Sequence, residues 1–111
     1  MATQPEMPAA AIVSPLGLAD YQEGAVVSRT LLKRAGGTMT LFAFDEGQSL
    51  SEHTAPFDAV AYVLEGEADI TITGIPLRVP VGQMVLMPAN QPHAVYARSR
   101  FKMLLTMIRS V

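Results

Sequence analysis

Two imidazoles carry the chemistry available to this 111-residue chain: His53 and His93 are its only histidines, and it has no cysteine. Without thiols there is no disulfide framework, no thiolate metal site and no sulfur nucleophile. An imidazole titrates near neutrality, so a pair can donate or accept hydrogen bonds, ligate a divalent metal, or divide acid and base roles. Held close, two such rings repel when both are charged, which pushes at least one pKa down. One ring can then act as base and the other as acid, as an isomerase or lyase requires. A serine hydrolase is not indicated, because Ser51 is two strand positions from His53 and has no orienting third group. No phosphate-cradling glycine loop is present either.

The elements that must position these rings read as short strands. Between Gly47 and Gly66 the sequence is GQSLSEHTAPFDAVAYVLEG, a loop carrying His53 into an apolar strand over 59–64. The stretch from Gly82 to Ala97, GQMVLMPANQPHAVYA, gives a strand over 84–87, a Pro-bounded turn, and a strand over 93–97. Further strands are expected over 25–33, 38–44, 67–73, 75–79 and 101–108. The clearest is EADITIT, where Ala68, Ile70 and Ile72 alternate with Asp69, Thr71 and Thr73. The last run, FKMLLTMI, also fits a helical period, but it is short and falls where a closing strand is needed. About eight strands with regular turn signals predict an all-β, antiparallel sandwich or barrel. Residues 1–19, punctuated by Pro5, Pro8 and Pro15, read as an N-terminal arm, disordered or laid over the barrel or a partner, with the barrel domain over 20–111.

The two punctuated stretches resemble the two motifs of the cupin superfamily. In the first, G-x5-H-x-H-x3/4-E-x6-G, Gly47, His53 and Gly66 fall in register, while Ala55 takes the second His position and Ala59 the Glu position. In the second, G-x5-P-x-G-x2-H-x3-N, Gly82, Pro88 and His93 match, with Asn90 for the middle Gly and Ala97 for the final Asn. The resemblance implies a jelly-roll barrel, the double-stranded β-helix. It also implies a site where three His and one Glu hold a divalent ion, of which this chain keeps His53 and His93.

Strand alternation extends that reading. Ala55 should share a face with His53; Ala59, Ala61 and Val63 should line one wall, and His93, Val95 and Ala97 another. Met103, Leu105 and Met107 would close the interior. The candidate ligand contacts are therefore His53, His93, Ala55, Ala59, Ala61 and Val95, with metal ligation confined to His53 and His93. Asp58 could add a carboxylate through a bulge at Pro56 and Phe57; Gln48, Glu52 and Tyr62 are poorer in direction. A mostly apolar pocket with two polar handles predicts binding of a small molecule, with weak or opportunistic divalent Fe, Mn, Ni, Zn or Cu. Two alternatives stay open: a metal-dependent enzyme, a dioxygenase or isomerase of cupin type, and a non-catalytic structural or partner-binding module.

Charge and hydropathy limit the partners. The formal net charge is −2, which argues against a nucleic-acid grip. The cluster Arg98, Arg100, Lys102 and Arg109 reads as a solvated strand edge. No run approaches the ~20 apolar residues of a membrane span. The first residues lack a basic leader, so a cytoplasmic protein is the expectation. The resemblance to small cupins implies a homodimer, and the apolar edge AVVSRTLL, an aggregation hazard if left bare, points the same way.

Overall fold

β-branched residues alternating with polar ones, cut by Gly, Pro and Asn at short intervals, leave this chain little to form but strands. The computed structural model describes residues 5–109, with nine strands. They are β1 Val26–Arg34, β2 Gly37–Phe44, β3 Ser49–His53, β4 Asp58–Glu65, β5 Glu67–Ile72, β6 Ile75–Pro80, β7 Met84–Met87, β8 His93–Tyr96 and β9 Phe101–Ile108. The FKMLLTMI run is β9, a strand. One strand exceeds the sequence expectation: β3 occupies part of what reads as a loop before His53. Its backbone pairs with β8, a partner that only the folded topology supplies. Among the described residues no helix is long and apolar enough to cross a membrane.

The strands form two sheets, ordered β1-β2-β9-β4-β7 and β3-β8-β5-β6, with antiparallel pairing throughout. This is the jelly-roll arrangement expected for a cupin, drawn as two facing sheets. Between them lies the main core. Leu105, Met107 and Val85 pack at its margin, while Ala61, Val63, Ile70, Phe101 and Met103 have no exposed surface. Phe44 stacks on Phe101 with ring centroids 4.5 Å apart and planes 11° from parallel, sealing one end.

The other end is the mouth. The chain crosses between sheets there twice, over residues 54–57 from β3 to β4 and over 88–92 from β7 to β8. Register then fixes which residues share the mouth layer. On the larger sheet Thr38 lies opposite Met107, and Met107 and Met87 lie on either side of Ala59. On the smaller sheet His93 lies between His53 and Ile72.

Two motif positions show why their residue types are needed. Gly66 takes φ 74°, and a Cβ there would collide with the Arg100 carbonyl, so only glycine closes the β4–β5 hairpin so tightly. Asn90 takes φ 64°, the left-handed conformation that Asn tolerates best among residues with a side chain, which accounts for its standing where the motif has Gly.

The outer face of the larger sheet is covered by the N-terminal segment. Leu18, Ala19 and Tyr21 pack on Leu31, Leu41, Ala43 and Leu104. Backbone carbonyls of the arm are held by the barrel: Arg29 Nη1 donates to Leu18 O at 3.2 Å, and Lys102 Nζ to Leu16 O at 2.7 Å. The reading of the basic cluster as a solvated edge holds for Arg98, Arg100 and Arg109, which are exposed, and fails for Lys102. Lys102 is only 6 % exposed, with its ammonium 4.9 Å from the centre of the Tyr21 ring, and Arg100 pairs with Asp45 at 2.7 Å. The arm residues 1–4 lie outside the described residues.

Candidate functional site

His93 reaches the mouth as the first residue of β8, and its strand neighbours direct it inward: Val95 on the same face is 2 % exposed and His93 itself 7 %. His53 arrives by a less regular route. In β3, Leu50 lies opposite Val95, and the next matched pair is His53 opposite His93, so three steps along β3 answer two along β8. The spare residue is a β-bulge. Without it, Leu50 and His53, an odd number of residues apart, would face opposite sides of the sheet. With it, both face the interior side, and the two imidazoles meet with centroids 4.4 Å apart and planes at 66°, an edge-to-face contact.

Both rings are fixed by the same local device. His53 Nδ1 is 2.8 Å from the Ser51 carbonyl, and His93 Nδ1 is 3.3 Å from the Gln91 carbonyl. A carbonyl only accepts, so Nδ1 carries the proton in each neutral ring and Nε2 is left with its lone pair. The pair thus offers two acceptor nitrogens to whatever enters the mouth. Burial pulls the His93 pKa below its ordinary 6.5, the Gln91 carbonyl opposes that shift, and the nearby His53 adds to it. His93 is therefore neutral at physiological pH.

The remaining predicted site residues separate. Ala59, 4 % exposed, lies in the mouth layer between Met107 and Met87. Ala55 is half-buried in the crossover beyond the end of β3, so strand alternation does not relate it to His53. Its carbonyl accepts the Asn90 N–H at 2.7 Å. Ala61 (0 % exposed) and Val95 (2 %) lie one layer deeper, within the packed core, so they form the floor beneath the mouth. Asp58 is exposed, and its Oδ1 accepts the Ala89 N–H at 2.8 Å, so it ties the two crossovers together. The bulge that matters is in β3, not at Pro56 and Phe57. Met107 closes the interior as expected; sequence reasoning missed Thr38, which lies opposite it, and Leu50, which packs half-buried against the core. The alternation of Thr38, Thr40 and Phe42 along β2 was the signal that could have found Thr38.

The donor set does not fit a resident catalytic metal. Such sites use three protein ligands with a position left for water or substrate. Here two imidazoles stand alone: among the described residues no group of three His, Cys, Asp or Glu side chains could hold an ion.

Comparison with known proteins agrees with this architecture. A family model for the cupin domain matches residues 40–109. A conserved protein of unknown function from Streptococcus pyogenes is 34 % identical with a TM-score of 0.90, over 100 % of this chain and 97 % of its own. A cupin superfamily protein from Desulfitobacterium hafniense is 28 % identical with a TM-score of 0.88, over 98 % of this chain and 100 % of its own. A cupin 2 conserved barrel domain protein from Leptotrichia buccalis is 40 % identical with a TM-score of 0.82, over 85 % of this chain; the match spans 46 % of that longer protein. No match was found among curated proteins.

Proposed function

The chain belongs to the cupin superfamily, and on that premise we propose that it binds a small, largely apolar molecule at the mouth of the barrel, with His53 and His93 as its polar handles. The observation that carries this reading is the shared backbone latch on the two rings, which leaves both Nε2 atoms as acceptors at the end of an otherwise apolar interior. A ligand with an N–H or O–H group at one end and an apolar body would match both. Met107, Leu50 and Thr38 would contact the body.

A divalent transition metal that enters this site rests on two imidazoles, with water or ligand completing its shell, so its occupancy is weak and opportunistic. The metal-dependent dioxygenase or isomerase needs a third protein ligand. Asp58, the nearest carboxylate in sequence to the vacant Glu position, is already engaged with Ala89. The chain pairs as a homodimer through the part of the β1 edge that its own arm leaves open, since Met7 N–H donates to Leu31 O at 2.9 Å and Lys33 N–H to Glu6 Oε2 at 2.8 Å.

The test is metal analysis of untagged protein together with a small-molecule thermal-shift screen on the wild type and on His53→Ala/His93→Ala. Substoichiometric metal, and compounds whose stabilisation disappears in the double variant, support the reading. Stoichiometric Fe, Mn, Ni, Zn or Cu with a third protein donor would replace it with the enzyme.

A further inference from the structure

A second concavity, lined by neither histidine, lies at the seam where the two sheets end. β6 closes one sheet and β7 the other, and among the described residues neither has a further neighbour. Ile75 and Leu77 on β6 lie opposite Ile72 and Ile70, so they share the face of the core, yet they are 62 % and 39 % exposed. Across the seam stand Val85 and Leu86, the latter 52 % exposed. Together with the 88–92 crossover these residues bound an open cleft of about 710 Å3, within the roughly 300–1,000 Å3 of small-molecule sites.

One end of this cleft is polar. Thr73, Asn90 and Gln91 converge there, and the Thr73 hydroxyl donates to Gln91 Oε1 at 3.0 Å. That bond occupies the amide oxygen and leaves the Gln91 NH2 to donate. Thr73 is itself unusual. It holds φ 50° in the first central position of the two-residue β5–β6 hairpin loop, where a β-branched residue is strained and Asn is preferred. A strained residue whose side chain organises the polar end of a cleft points to a function for that end.

The lining also selects among occupants. Among the described residues no ionised side chain borders the cleft, so none of them compensates a charged ligand. An added peptide strand is disfavoured on the β6 side, where Pro76 and Pro80 remove backbone donors from the edge. We propose that this cleft is a second binding site, for a neutral molecule with an aliphatic or aromatic body and one carbonyl-type acceptor, such as a ketone or ester, whose oxygen is received by the Gln91 amide. It adjoins the mouth without including its imidazoles: Ile72 and the 88–92 crossover border both, and neither histidine lines the cleft.

The experiment is a two-dimensional 15N NMR titration of the intact chain with 2-octanone, and with octanoate as a charged contrast. Saturable shifts at Thr73, Gly74, Leu86 and Gln91 are expected with the ketone, and octanoate should bind about tenfold more weakly. Leu86→Asp should weaken the ketone about tenfold, and Gln91→Leu should erase the ketone's advantage over octane. Ile75→Ser serves as the second lining variant should Leu86→Asp fold poorly. Failure to saturate, shifts confined to the surroundings of His53 and His93, or indifference to both lining substitutions would overturn the site. So would a dimer mass in sedimentation that Leu86→Asp abolishes while the wild type shows no ketone binding, since a second copy would then fill the cleft.

Discussion

The two ends of the sandwich are built from the same strands and do opposite things. At the sealed end Phe44 and Phe101 stack with no exposed surface, and β4 turns into β5 through a glycine that admits no side chain. At the mouth the same β4, β8 and β9 deliver Ala59, His93 and Met107, and the neighbouring β3 ends in an exposed imidazole. One end is filled by large aromatic rings; the other has alanines where the motif carries its second His and its Glu. The difference shows where stability and binding are divided: the floor holds the sheets together, which frees the mouth to carry polar groups that contribute little to folding.

If that division is right, damage at the floor should far exceed damage at the mouth. Phe101→Ala should cost about 3–5 kcal/mol in denaturant unfolding, by leaving a cavity against Phe44. Gly66→Ala should follow at about 1–3 kcal/mol, from left-handed strain and the collision with the Arg100 carbonyl.

The mouth can be asked to become something else. Ala55→His with Ala59→Glu restores the motif donors, at the cost of a carboxylate in a position now 4 % exposed. That variant should lose stability without metal and regain it with Zn or Ni, and calorimetry should show affinity well above wild type. No gain in affinity would mean that the mouth geometry, rather than its missing donors, prevents metal binding.

A finer contrast is electrostatic. The folded-state pKa of His93 is depressed, so the unfolded chain takes up a proton at higher pH than the folded one. The associated stability is present above the unfolded value and is lost as pH falls through it toward the lower folded value. His93→Gln should remove that component from a pH series of melting curves, and unchanged curves would contradict it. The smallest effect belongs to His53→Ala, within about 0.5 kcal/mol, since that ring is exposed. A larger loss would make His53 part of the floor's cohesion.

Much of this contrast could be read from the chain. Alternation in EADITIT and in the β8 stretch located strands that register confirms, and the motif glycines and Asn90 mark backbone positions with positive φ. What escaped were features set by long-range pairing. The β3 bulge depends on β8, about forty residues away, and no local pattern encodes it. Ala61 and Val95 face inward as alternation requires, yet facing inward does not distinguish a pocket wall from a packed floor. That depends on the depth of each layer, and hence on how far Phe101 and Met103 fill the space between sheets. Lys102 looked like a surface charge because its partners, the Leu16 carbonyl and the Tyr21 ring, come from the arm some eighty residues earlier.

The odd spacing between Leu50 and His53 also governs what the opening can become. Deleting Ser51 or Glu52 would take up the slack, giving a regular ladder that still holds His53 opposite His93. Keeping both while pairing them regularly would instead bring Glu52 opposite His93 and swing His53 to the outer side. An imidazole would then give way to a carboxyl group, and a pair of like rings would become a ring beside a carboxyl. One residue of slack in a five-residue strand thus selects between two kinds of chemistry, and no side chain need be replaced to move from one to the other.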